Sequence, residues 1–144
     1  MARLQIFLAA LWWGSLTAVG FMVVPMLFVH LETPAIAGQM AAKLFSAQTW
    51  SALACGILLL LAAKRESADR THTPSPWVIA GMLLALLIEL AVKPHIMARD
   101  NMALWHNLGS VFYVLQYFCA GKVLWALCPA RAETAIAAGP AQID

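Results

Sequence analysis

The chain has 144 residues, of which 62% are hydrophobic and 11% charged, with a formal net charge of +2. Soluble domains carry roughly 45–50% apolar and 25% charged residues, so composition excludes an ordinary water-soluble globule. The weak net charge, with no dense basic run, excludes nucleic acid as a partner, and the length allows one domain at most.

Residues 4–29, 44–63, 76–92 and 104–127 are nearly free of charge. Crossing the hydrocarbon takes about 20 apolar residues, and each stretch reaches or approaches that length. The chain therefore reads as an all-α, four-span transmembrane helix bundle over residues 1–129, in contact with the lipid bilayer. The Ala/Gly/Pro-rich segment 130–144 reads as a flexible cytoplasmic tail.

The first run is too long for a signal-peptide core of roughly 7–15 residues, so it reads as an uncleaved span. Pro25 has no N–H and deprives the Phe21 carbonyl of its helical donor, which predicts a kink. Ala10, Gly14 and Ala18 recur every four residues and predict close helix approach along that ladder. Thr33 before Pro34 reads as an N-cap with proline at the first helical position. The second helix should then start in the interface, with Gln39 and Lys43 near headgroups, and run straight into the second span. Residues 64–76 form the one long hydrophilic stretch and read as a loop. Trp77 opens the third span, and Lys93-Pro94 should close it, because proline disfavours helix in the residue before it. The fourth span runs from near Ala103 to Cys128-Pro129. Three cysteines without metal-type spacing (Cys55, Cys119, Cys128) read as small hydrophobes rather than ligands or a disulfide.

Orientation follows from the Lys/Arg bias. With four spans, Arg3, Lys64, Arg65, Arg70, Arg131 and the snorkelling Lys122 share one side, six against Lys43, Lys93 and Arg99 on the other. Both termini should be cytoplasmic, in a bacterial-type inner membrane. Trp77 and Trp125 then fall at the inner interface, and Trp50 and Trp105 at the outer one.

Few groups in the spans can carry chemistry. Glu89 is the sharpest, because a carboxylate in a span is costly and usually faces the bundle interior. Its structural reading is an i,i+4 pair with Lys93. Its face continues through Ala85, Met82 and Gly81, which suggests packing against another helix. His106 shares a small, polar face with Gly109, Ser110, Tyr113 and Tyr117, expected to point inward. Gln48, Ser51, Ala52 and Cys55 share a face of the second span. His30, Gln48, Glu89, His95, His106 and Asn107 all lie toward the outer end. Glu89, His106 and Gln48 are expected to face one another, with His30 close by.

A carboxylate with imidazoles suits a divalent metal, with Glu89, His106, His30 and His95 as ligand candidates. His30 and His106 could instead hold a haem as axial ligands. The structural alternative is a polar layer of Gln48, Asn107 and Tyr113 that sets helix register and binds nothing. There is no phosphate loop, nucleophile elbow or HExxH motif, so nothing marks an enzyme.

Leu11-Trp12-Trp13-Gly14-Ser15 and Gly20-Phe21-Met22-Val23-Val24-Pro25-Met26-Leu27-Phe28 resemble the first helix of the transmembrane protein 205-like family. Gly38-Gln39-Met40-Ala41-Ala42-Lys43-Leu44-Phe45 and His106-Asn107-Leu108-Gly109-Ser110 with Tyr113 fit later segments of that family. The resemblance covers most of the chain to about Leu127. It implies a four-helix membrane protein without an established activity, and it carries over no catalytic residue. Three functions remain open. The first is a protein that binds or passes a metal ion or small solute at its outer end. The second is a homo-oligomer or accessory subunit of a larger membrane complex. The third is a haem-dependent redox protein.

Overall fold

The computed structural model describes residues 2–66 and 75–128. Most of the expected hydrophilic loop (67–74) and the expected tail (130–144) lie outside the described residues. Four helices are long and apolar enough to cross a membrane: α1 (Arg3–His30), α2 (Pro34–Lys64), α3 (Pro76–Met97) and α4 (Met102–Leu127). No strand occurs among the described residues, so the all-α expectation holds. Each helix packs on its two neighbours around a ring, α1 on α2 and α4, and α3 on α2 and α4.

The start of α2 follows its cap. The Ile36 N–H donates to Thr33 Oγ1 at 3.3 Å, and the helix runs unbroken from the Pro34 turn through the span. A short turn over 98–101 joins α3 to α4. It places Arg99 (φ 57°) and Asn101 (φ 35°) in the left-handed region, where asparagine is tolerated best.

The two proline sites do not break their helices. Each lies just beyond a stretch of π-helix, Ala18–Val23 in α1 and Ile88–Val92 in α3. The residue directly before each proline donates five residues back, Val24 to Val19 and Lys93 to Ile88. In α-register the proline ring would meet the carbonyl four residues earlier, Phe21 or Leu90. The wider turn carries that carbonyl aside. The expectation that α3 closes at Lys93-Pro94 is therefore corrected: Lys93 stays helical (φ −56°, ψ −45°) and the helix continues through Met97.

The apolar core sits toward the Lys64 end, away from the 31–33 and 98–101 turns. Leu8, Ala9, Trp12, Leu16, Ala52, Cys55, Leu59, Val78, Ala85, Ala120 and Val123 form one buried cluster. Lipid tails are as apolar as leucine, so van der Waals fit rather than water release holds such helices together. Gly81 permits one such fit, since a Cβ there would come within 2.8 Å of the buried Trp12 ring. The Ala10–Gly14–Ala18 ladder does not serve this contact. Ala10 and Ala18 are exposed, and a Cβ on Gly14 would meet nothing within 4 Å. Ala9, one residue over, is the alanine that faces the core.

Candidate functional site

The looser end of the bundle holds the charged group. Glu89 lies in the π segment of α3, about 12 Å along the helix from Met97 at 1.5 Å per residue. Its side chain is 15% exposed and pairs with Lys93 Nζ at 2.6 Å, the i,i+4 arrangement open from sequence. Ser46 on α2 completes the group. Its hydroxyl accepts from Lys93 Nζ at 2.6 Å and faces both Glu89 oxygens, at 2.9 and 3.1 Å. The same hydroxyl lies 3.0 Å from the Ala42 carbonyl. It has one hydrogen, so Glu89 and Ala42 compete for it. A charge pair in an apolar setting is tolerable only with such extra bonds.

A cleft of about 400 Å³ opens beside this group, lined by Gln39, Ala42, Lys43, Ser46, Lys93 and Met97. Gln39, Lys43 and Ser46 stand at i, i+4 and i+7 along α2, so they share one helical face. That spacing is visible in the sequence, but a lone hydroxyl within a helix usually bonds its own backbone, so Ser46 carries no mark of its partner there.

The other expected site residues are placed elsewhere. Gln48 is buried, and its Nε2 donates to Ser15 Oγ at 3.0 Å rather than to Glu89. Ser15 in turn donates to the Trp12 carbonyl. Ser51, expected on the Gln48 face, is exposed. His30 is exposed, with Nδ1 3.0 Å from the Met26 carbonyl. His106 and Asn107 are exposed as well. His95 stacks on Trp105 at 3.9 Å between ring centres and lies 3.3 Å from Asp100. That stack turns Trp105 toward α3, and His106, one residue on, is carried about 100° away. Of the predicted α4 face, Gly109 packs against the buried Val92 of α3 and the part from Tyr113 to Ala120 points inward, whereas His106 and Ser110 are exposed. Glu89 thus meets Ser46 and Lys93, and none of the three histidines joins it. Among the described residues, no group of three or more His, Cys, Asp or Glu side chains could hold a metal ion.

Tyr113 links α4 to α1 at the entry of the first π segment. Its hydroxyl donates to the Leu16 carbonyl at 2.8 Å, and its ring lies against Gly20, where a Cβ would overlap it. In an α-helix the Leu16 carbonyl would serve the Gly20 N–H. The side chain therefore enters the helical ladder, a recognised cause of local unwinding. Phe45 and the Tyr113 ring meet edge-to-face, with ring centres 5.2 Å apart.

Four membrane-length apolar helices, with an ion pair held between two of them, define a small polytopic membrane protein. The chain belongs to the family described as a domain of unknown function (DUF4149), whose model matches residues 7–103. That segment contains Ser46, Glu89 and Lys93 and ends before Tyr113. No curated protein and no solved structure matches the chain.

Proposed function

We propose that this is a non-enzymatic inner-membrane protein that binds or passes a small solute at its outer end, in the cleft beside the Glu89–Lys93 pair. The observation that carries this reading is the Ser46–Glu89–Lys93 group, half-sheltered in the bundle and open to a cleft of solute size. The structural reading of the pair, an i,i+4 contact with no binding role, requires no cleft beside it. The pair borders a cleft edged by a second lysine and a carboxamide. π-helical turns also occur often at functional sites, and Glu89 lies within one. The Lys/Arg bias supports placing this end outside.

The reading requires that the cleft meet water on the outer face. In a chain with its three cysteines changed to serine, an Ala42→Cys variant should react with a membrane-impermeant thiol reagent applied to intact cells. Labelling that occurs only in inverted vesicles, or not at all, would refute it.

A second reading, an oligomer or accessory subunit, has one observation in its favour: the Ala10–Gly14–Ala18 ladder faces outward with open space at Gly14. Small residues at this spacing let a partner helix approach closely. On that reading, Gly14→Leu should reduce the particle mass measured by light scattering in mild detergent, without loss of helical content. An unchanged mass would remove the support.

A further inference from the structure

We propose that the cleft between α2 and α3 is a site for a phosphate-type monoanion, bound by Lys43, Lys93 and Gln39. This rests on reading the cleft as a solute site and adds the chemical class of its occupant.

The first argument is the balance of donors and acceptors. The polar residues lining the cleft are two lysines, one carboxamide and one hydroxyl, and no carboxylate lines it. Glu89 is engaged by Lys93 and Ser46 behind that lining. An ammonium has three hydrogens. Lys93 gives one to Glu89 and one to Ser46, which leaves a third uncommitted among the described residues. Lys43 and Gln39 make no side-chain hydrogen bond among the described residues, so their donors are also free to bind. Ser46 is not, because its hydrogen serves Glu89 or Ala42 and its oxygen accepts from Lys93. The free capacity of the cleft is thus mainly donating, the Gln39 carboxamide oxygen being the free side-chain acceptor in the lining.

The second argument is charge. Two lysines and one carboxylate leave one positive charge to be neutralised. Glu32, Arg99 and Asp100 lie in the turns at the same end of the bundle; Asp100 lies beside His95, and none of the three lines the cleft. A single negative charge completes the site, and a second negative charge on the ligand would be in excess. Cations are disfavoured, since the nearest carboxylate already holds an ammonium.

The third argument is depth. The cleft lies between the first turns of α2 and the last turns of α3. Gln39 and Lys43 belong to the stretch of α2 that the sequence predicts near the headgroups, where lipid phosphates sit and lysines reach outward. About 400 Å³ falls within the usual range for a small-molecule site. The phosphate-type oxygens could belong to a lipid headgroup or to a free anion.

The test uses the full chain purified in mild detergent. Binding of inorganic phosphate, dioctanoyl phosphatidylglycerol and dioctanoyl phosphatidylcholine is titrated by calorimetry in mildly acidic buffer, where inorganic phosphate is chiefly the monoanion. We expect saturable binding of one or both anionic probes and weaker binding of the zwitterionic one. Lys43→Gln should weaken the anionic probe about tenfold, the scale for losing one charge-assisted hydrogen bond, and added salt should weaken it further. Phosphate binding by itself assigns a free anion. Binding restricted to phosphatidylglycerol assigns a headgroup. No saturable binding of either anion, or binding unchanged in Lys43→Gln, overturns the anion site. Ala42→Cys labelling from outside would then show whether the solute cleft survives without it.

Discussion

Replacing Lys93 with methionine should lower stability by about 2 kcal/mol, whereas replacing Glu89 and Lys93 together with leucine and methionine should change it far less. Removing one partner of a buried pair typically costs about 3–5 kcal/mol, because the other charge is left without compensation. The value here is lower because the Lys93 side chain is 36% exposed and reaches some water. In the single variant, Glu89 keeps only the Ser46 hydroxyl, which also faces the Ala42 carbonyl. In the double variant no charge remains in the span, and Ser46 satisfies itself on Ala42 like many membrane serines. Thermal unfolding in bicelles would measure both. Equal losses in the single and double variants would mean that the pair holds the bundle together rather than merely tolerating burial.

This contrast bears on why the group exists. Were it present for stability, an apolar pair would serve as well or better. A near-neutral double variant that also loses anion binding would tie the charges to the cleft. The same double variant, if it bound phosphate normally, would separate them.

The four spans were readable because lipid imposes a simple rule: backbone groups must be satisfied within the segment, so spans become long apolar helices. The Thr33-Pro34 start of α2 was readable for an equally local reason. The site was readable only in part. Glu89 and its Lys93 partner follow from charge in an apolar run. Ser46 does not, because a lone hydroxyl inside a helix usually bonds its own backbone. The inward placement of His106 failed for a tertiary reason, the His95–Trp105 stack, which sets the rotation of α4 at that end. The π turns were hidden for a related reason. Pro25 announces a disturbed ladder, but it does not say whether the helix bends, stops or slips by a residue. A slip of one residue turns everything beyond it by about 100°, so helical-wheel arithmetic cannot be carried across residues 18–23 or 88–92.

The slip in α1 has a second cause besides proline, and a larger loss exposes it. Gly20→Ala should lower stability by about 2–3 kcal/mol, the scale of overpacking a tight contact and losing a hydrogen bond. The added methyl would overlap the Tyr113 ring and lie 2.9 Å from its hydroxyl oxygen. The ring has little room to retreat, with Phe45 packed at 5.2 Å and the hydroxyl held by the Leu16 carbonyl. Two second-site changes distinguish the terms. Tyr113→Phe removes the hydrogen bond but keeps the ring carbons that clash, so it should not rescue Gly20→Ala. Tyr113→Ala removes the ring, so the double variant should lose clearly less than the two single losses added together, a coupling above about 1 kcal/mol. Strict additivity would mean that Tyr113 lies beside the π turn without shaping it. Rescue by alanine but not by phenylalanine would instead identify a wedge. A side chain from α4 would then hold α1 open at the turn where its own proline withdraws a donor.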